Sequence, residues 1–515
     1  MALNKVSKNS DDTLLMSQPS YITPKVYEGI EAASRILDGA ESGKTLVYFD
    51  PDMDGLVAGL FFCMVLRKRG VSYMTHVNSK RQHGFLLEGK DVSGLTVFNG
   101  DFLVTRDNVE DIVGNGANIL SIDHHECEPD LIHVRRGGYE GIVINNQYPF
   151  EDSRNRFQSG AGVTFEVLRE IEPWLDTPMN RALVGITLLT DIRDIDQEGA
   201  WAWLWELYHA PYKGYLRYLI DSTQKRSYSY GLPRLDRNFV DYTLSPSVNA
   251  MFRFGREEDA VDFILGAGYP NVDFQASQKR LVKKMNEVAH VRDYGHLVVI
   301  ELDQEDFDLH DREIISNFVG LVCSRYTGNG KSAIGYVVDY QKEVERASFR
   351  GNLSTAPYRE RMSDHVEGIG HSMAFGIKNL VPSEELWVKL NKICAEAEGE
   401  SKAVDSYIEV SNLSKFHRSD QRVIAEKNNY KMGPNRIYLR YTGTAIIDKV
   451  IRKNFQEYII NGLPVKSFDS NLRPDRDYIL AQVEKGRVHY YLQKPYIEEF
   501  AQELDPAEVT SVSLP

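Results

Sequence analysis

Four cysteines in 515 residues, none in a CxxC pair, leave this sequence without a disulfide framework or a thiolate zinc site. Cys63, Cys127, Cys323 and Cys394 lie far apart and read as buried thiols, so a reducing, cytoplasmic setting is expected. Long hydrophobic runs are missing too. The longest, Leu56 to Leu66, falls well short of the ~20 apolar residues that cross a bilayer. The opening MALNKVSKNSDDTLL carries no apolar signal core, and no membrane partner is expected. There is no basic excess either: 74 acidic against 60 basic residues give a net charge of -14. That does not announce a nucleic-acid binder, although an acidic protein can hold a local basic channel. Repeats and low-complexity tracts are absent, which excludes solenoids and arrays. What remains is 42% hydrophobic and 26% charged, an ordinary balance for a chain with a large core, and the length suggests about three domains.

The pattern along the chain divides it further. Residues 1–40 form an N-terminal extension, loose at first, with helical spacing from Lys25 to Leu37. From 41 to 200 apolar strands alternate with helical segments: TLVYFD, GLVAGLFFCMVLRKRG, VSYMTHV, DFLVTRD, NILSIDHH, GIVINN, GAGVTFEVLREIEPWL and RALVGITLLTDI. Such alternation predicts an α/β domain with a mostly parallel sheet and helices on both faces. Residues 201–290 are aromatic and helix-like, a helical connector. Alternation resumes over 291–400, a second α/β domain beginning at HLVVIELD. Short strands between turns fill 401–515, a small, mostly β domain read as antiparallel.

The most informative segment is Leu46-Val47-Tyr48-Phe49-Asp50-Pro51-Asp52-Met53-Asp54-Gly55. A short apolar strand runs into three carboxylates at every second residue, and an apolar helix follows. Anions packed so closely are solvated, protonated or neutralised by cations. Strand-to-helix junctions are where open α/β sheets place ligands, and hard oxygen donors suit Mg²⁺ or Mn²⁺. A solvated acidic turn is the plainer alternative. Nearby, Gly39 to Thr45 imitates a phosphate-binding P-loop, but it is one residue short and a helix precedes it where a strand should. It reads as a glycine turn after a helix.

Three further places supply ligand-type residues at the ends of apolar segments. They are Asp107 after Phe102-Leu103-Val104, Asp123-His124-His125 after Asn118 to Ile122, and Asp191 after Ala182 to Leu189. Asp101 competes with Asp107 for the second place. In a parallel sheet these ends open onto one edge, where five carboxylates and an imidazole can converge, with Asp123 orienting a histidine. Oxygen-rich donors with one or two imidazoles fit a pair of divalent ions that drive phosphoryl displacement better than a structural zinc site. Against this, a strand-end Asp is often only a helix N-cap.

Taken in order, these segments resemble the DHH phosphoesterase superfamily, and within it the RecJ-type single-strand exonucleases, over about residues 45–380. DPDMDG (50–55) resembles the first motif, VTRDN (104–108) the second, with Val109 where a glycine is usual, and IDHHE (122–126) the motif that names the family. GIVINNQYPF (141–150), QSGAGVTFEVL (158–168) and GITLLTDI (185–192) are similar to the segments that follow. LSPSVNAMFRFG (244–255), with Phe252 in place of a glycine, SFRGN (348–352) and GIGHSMAFG (368–376) resemble the family's later elements.

The resemblance implies a DHH catalytic domain at 41–200 and a DHH-associated substrate-binding domain at 291–400. It implies two Mn²⁺ or Mg²⁺ ions held by Asp50, Asp52, Asp54, Asp107, His124 and Asp191, with Asp107 bridging them. Asp52, Asp54, Asp107, His124 and His125 would be catalytic. Arg253, Arg350, His371, Gly370 and Asn145 would hold substrate, the first three through phosphates across a cleft between domains. Arginine's planar fork suits phosphate. The implied activity is a 5′→3′ exonuclease that releases 5′-mononucleotides from single-stranded DNA by two-metal hydrolysis. DNA is favoured over RNA as partner, replication or repair proteins are implied as companions, and DNA repair or recombination is the implied setting. The alternatives are a phosphodiesterase of short oligoribonucleotides or cyclic dinucleotides, and a non-catalytic RecJ-like replication scaffold. The C-terminal domain could be an oligonucleotide-binding barrel, with Tyr438, Tyr441, Tyr458, Tyr490 and Tyr491 for stacking and Arg436, Arg440 and Lys449 for phosphates.

Overall fold

The structure is a computed structural model. It describes residues 27–78, 91–125, 130–147, 158–191, 203–204, 206–207, 213–224, 239–270, 272–327, 331–352 and 356–399, and eight strands between 408 and 511. Two compact units result, one of residues 1–252, 257–270 and 404–515, the other of residues 253–256 and 271–403.

The first unit is built on a six-stranded sheet. Its strands are β1 (Thr45–Phe49), β2 (Met74–Val77), β3 (Thr96–Gly100), β4 (Asn118–Asp123), β5 (Ile132–Arg136) and β6 (Tyr139–Asn145), in the order β2-β1-β3-β4-β6-β5. All neighbours are parallel except the edge strand β5, which runs antiparallel to β6. β1 and β3 are buried along their whole length, as strands covered on both faces must be.

The covering helices are α1 (Ile30–Asp38), α2 (Met53–Lys68), α3 (Arg106–Gly114), α4 (Gly160–Ile171) and α5 (Pro178–Thr190). α2 is apolar nearly all round and is accordingly buried on nearly every side. Phe62 packs on Phe98 of β3, and Phe61 on Phe165 of α4. The opposite face is closed by Val109, Ile112 and Val113 of α3 over Leu46, Tyr48, Val97, Ile119 and Val143.

One local expectation changes. The sequence pattern places a strand over 101–107; the strand is instead Thr96–Gly100, and the segment after it turns into α3. Asn99 and Gly100 are poor strand formers, yet they pair fully with β1 and β4. The segment leading to Asp191 is a helix, α5, started by Thr177 and Pro178 at its N-terminus. The P-loop imitation is the turn between α1 and β1, as its residue order implied.

Helices α6 (Gly214–Gln224), α7 (Ser245–Arg253), α8 (Glu257–Ile264) and α9 (Phe274–Val288) fill the expected connector. The second unit holds the other α/β layer, with strands β7 (His290–Asp293), β8 (Leu297–Asp303), β9 (Ser332–Val338), β10 (Val344–Arg350), β11 (Glu367–His371) and β12 (Ala374–Lys378) in the order β11-β12-β10-β9-β8-β7. Only β8 and β9 are parallel. α10 (Glu384–Gly399) buries Trp387 against Tyr336 of β9.

The C-terminal strands are β13 (Ile408–Val410), β14 (Arg436–Tyr441), β15 (Ile446–Ile451), β16 (Gln456–Ile460), β17 (Leu463–Ser467), β18 (Tyr478–Lys485), β19 (Arg487–Pro495) and β20 (Thr510–Ser511). They form one sheet, mainly antiparallel, with parallel pairing where β13 meets β14 and β20 and where β17 meets β19. Tyr458 is 2% exposed and belongs to the interior, not to a stacking surface. The side chains of Tyr438, Tyr441, Tyr490, Tyr491, Arg436, Arg440 and Lys449 lie outside the described residues, as does Cys127. Cys63, Cys323 and Cys394 are free and buried. Among the described residues no helix is long and apolar enough to cross a membrane.

Candidate metal centre

β1 runs into Asp50, whose carbonyl accepts the Asp52 amide at 2.9 Å. Asp52 caps α2: its Oδ1 accepts the amides of Asp54 (2.8 Å) and Gly55 (3.0 Å). The N-cap reading of this aspartate is therefore correct for one oxygen. A Cβ on Gly55 would fall 2.4 Å from the Cβ of Asp50, so only glycine lets α2 start this close to the strand end.

Asp54, in the first turn of α2, is 3% exposed and held from across the site. Its Oδ2 accepts the Gly160 amide at 2.7 Å and its Oδ1 the Ala161 amide at 3.0 Å. These are the first residues of α4, whose N-terminus carries unpaired N–H groups and a positive dipole end. Ser159 caps α4 and meets Thr187 of α5 at 2.8 Å.

Asp101 follows β3 directly, 4% exposed, with a left-handed backbone (φ 70) that non-glycine residues rarely adopt. The Ile122 carbonyl accepts its amide at 2.9 Å. Its Oδ1 lies 3.0 Å from His124 Nε2, and His124 Nδ1 lies 3.6 Å from Oδ2 of Asp191, the residue that ends α5. At the end of β4, Asp123 Oδ1 is 2.8 Å from His125 Nδ1, and the two histidine rings meet edge to face at 4.6 Å. Asn145 faces Asp123 from β6; its Nδ2 donates to the His125 carbonyl (3.0 Å) and its Oδ1 accepts the Gln147 amide (2.8 Å). Gln147 Nε2 donates to the His124 carbonyl at 3.2 Å. Asn145 therefore straps the histidine loop in place.

Three overlapping donor groups result: Asp50, Asp52 and Asp101; Asp54, His124 and Asp191; and Asp101, Asp123, His124 and His125. Within each, one donor atom per residue lies within 4.8 Å of the others. The electrostatics of this cluster call for cations. Burial, then the Asp52 charge, pushes the Asp54 carboxyl up to about 7 despite the two α4 amides. Burial, then the charges of Asp54, Asp52, Asp50 and Asp191, raises Asp101 well above the usual carboxylate range. Burial lowers His125, but the charge and hydrogen bond of Asp123 outweigh it and bring it to about 9. Oxygen donors with one imidazole suit a pair of Mn²⁺ or Mg²⁺ ions, which would relieve this repulsion. The residues present fit that group.

With this geometry in place, the fold has solved relatives. The chain superposes on the crystal structure of RecJ in complex with Mn²⁺ from Thermus thermophilus with a TM-score of 0.64 and 16% identity, covering 93% of this chain and 74% of that one. For RecJ in complex with Mg²⁺ from the same organism the values are 0.60, 15%, 93% and 72%. The fold is RecJ-like. No family model and no curated protein matches the sequence.

Asp107 does not join the cluster. It sits exposed in the first turn of α3, where Thr105 and Asn108 form a capping box. The cause is the strand boundary: because β3 ends at Gly100, Asp101 occupies the strand-end position and Asp107 lies a loop further on. The sequence pattern admits Asp101 but ranks it second. It misses the α4 amides of Gly160 and Ala161, for which Ser159 before two small residues, an N-cap beside room for close approach, is the available signal.

In the second unit, Arg350 of β10 donates from Nη1 to Ser348 Oγ (2.8 Å) and the Phe349 carbonyl (2.7 Å). Arg253 donates from Nη1 to Gln278 Oε1 at 3.1 Å, and its carbonyl accepts from Asn317. Burial, then the charge of Arg350, lowers Arg253 to about 10, and burial lowers Arg350 as well. Among the described residues no carboxylate lies within ion-pair distance of either guanidinium. Two neighbouring guanidiniums without a carboxylate form a place for an anion. Phe252 is fully buried within α7, so the helix accommodates it in place of glycine. Gly370 and His371 lie on β11, facing Phe375 and Ala374; their side-chain surroundings lie outside what is described.

Proposed function

We propose that this chain is a divalent-metal-dependent phosphodiesterase of the DHH superfamily, acting as a 5′→3′ exonuclease on single-stranded DNA and releasing 5′-mononucleotides. The observation that carries the reading is the convergence of Asp50, Asp52, Asp54, Asp101, His124 and Asp191 at one sheet edge. DNA as polymer and the 5′→3′ polarity rest on the resemblance of the sequence motifs.

Asp101 stands in two of the donor groups; Asp50, Asp52 and Asp101 would hold metal on one side of the cluster, and Asp54, His124 and Asp191 on the other. Two such ions would supply an activated water and neutralise the leaving oxygen of an in-line displacement. The α4 amides fix the direction in which Asp54 presents its remaining lone pairs. His125, kept protonated by Asp123, places a cationic N–H at the edge of the cluster for a phosphate oxygen. Arg253 and Arg350 would bind a phosphate of the strand, Ser348 orienting the second guanidinium.

The test is cleavage of end-labelled single-stranded DNA and RNA oligonucleotides of graded length with Mn²⁺. Progressive release of mononucleotides from the 5′ end of long DNA supports the reading. Cleavage confined to dinucleotides would replace it with a small-nucleotide phosphodiesterase, and no cleavage of any length would remove it.

A further inference from the structure

The α3 face of the first sheet is graded along its strands. One row across it is apolar: Leu46, Val97, Ile119 and Gly141 stand side by side. The next row is Tyr48, Asn99, Ser121 and Val143. Beyond it come Asp123 opposite Asn145, with Asp50 and Asp101 just past the ends of β1 and β3.

The middle row breaks a packing rule. Asn99 and Ser121 are 0% exposed, and neither the amide nitrogen and oxygen of Asn99 nor the Ser121 hydroxyl has a hydrogen-bond partner among the described residues. Tyr48 in the same row does have one, donating to Asn78 Oδ1. A buried polar group left unpaired costs stability, and an apolar side chain of the same size would avoid that cost. Both polar residues sit one row below the candidate ligands. Asp123 lies two residues beyond Ser121 on β4, a Cα spacing of roughly 6.6 Å, and diagonally across from Asn99; with no direct hydrogen bond among these side chains, one bridging water can join them. Three polar atoms offer the two to four partners that a buried water takes.

We propose that Asn99 and Ser121 are positioning residues of the metal centre and hold one buried water beneath it. The water accepts from the Asn99 amide and the Ser121 hydroxyl and donates to the Asp123 carboxylate. Asp123 in turn fixes His125 over 2.8 Å, so the pair acts on the cluster through Asp123. This rests on the metal-dependent reading above.

The experiment compares the parent chain with Asn99→Leu and Ser121→Ala. It measures Mn²⁺ affinity by calorimetry and the Tm of the metal-free protein. The expected result is a Mn²⁺ affinity lower by about 10-fold, the scale of outer-layer ligand support, with a metal-free Tm that is unchanged or higher. Affinity within twofold of the parent in both variants overturns the inference, as does a Tm that falls in step with affinity, since that marks a merely structural role. If Asn99→Leu does not fold, Ser121→Ala, which deletes one hydroxyl, decides alone. A parent that binds no Mn²⁺ removes the metal reading and this inference together; a parent that binds while both variants match it removes only this inference.

Discussion

His124 Nε2 stands 3.0 Å from Asp101 Oδ1, which joins the motif after β3 to the motif after β4 in one buried contact. Asp107, six residues on, faces solvent at the start of α3. Asp101→Ala should therefore cut Mn²⁺-dependent cleavage by more than the roughly 10–100-fold typical of losing outer-layer support. Asp107→Ala should stay within about twofold of the parent, the change expected at an exposed site away from the chemistry. Single-turnover rates on labelled single-stranded DNA check both.

Gly160 touches two carboxylates in different ways. Its amide holds Asp54, and a Cβ on it would fall 2.5 Å from the Asp101 Cβ. Gly160→Ala should displace Asp101 and lower Mn²⁺ affinity. Ser159→Ala should cost about 1 kcal/mol of helix cap and, because the Ser159 hydroxyl also bonds Asp54, lower Mn²⁺ affinity less than Gly160→Ala does. Calorimetry and thermal melts on the two variants separate these effects.

The raised carboxyls set the pH response. In the metal-free fold Asp54 holds its proton up to about 7, and burial with the neighbouring carboxylates keeps Asp101 protonated well above the usual carboxylate range. The unfolded chain releases the same protons near ~4. Stability is therefore full at low pH and falls as pH rises through about 7, because the folded state binds more protons across that window. Metal binding requires those protons to leave, so Mn²⁺ affinity should rise over the same range with proton release. Melting curves from pH 5 to 8 should fall without Mn²⁺, and saturating Mn²⁺ should remove most of that fall.

Arg350 carries a half-buried guanidinium anchored by Ser348. Arg350→Ala should raise KM by about 10–100-fold, the scale of one charge-assisted hydrogen bond or a bidentate pair, with a smaller change in kcat. Arg350→Lys should recover little, because lysine keeps the charge and loses the fork. Steady-state kinetics on 5′-phosphorylated single-stranded DNA test the split.

Much of this architecture is legible in the sequence where pattern and chemistry agree. The apolar run before Asp50 and the alternation to Asn145 specify a parallel sheet, and the aspartate triplet marks its ligand edge. The failure at Asp107 is instructive. Asn99 and Gly100 are poor strand formers, yet tertiary pairing makes them strand, and a left-handed aspartate follows. The grip of α4 on Asp54 joins residues 106 positions apart, a contact that helix and strand periodicity do not encode. The parallel pairings of the C-terminal sheet were likewise invisible, since strand direction depends on long connections and not on local pattern.

The most direct test of the central claim is the stoichiometry of Mn²⁺ binding to the metal-free protein by isothermal titration calorimetry. Two ions per chain are predicted for the parent and for Asp107→Ala, and fewer for Asp101→Ala. An unchanged stoichiometry in Asp101→Ala, or no binding by the parent, would contradict a metal centre built around Asp101.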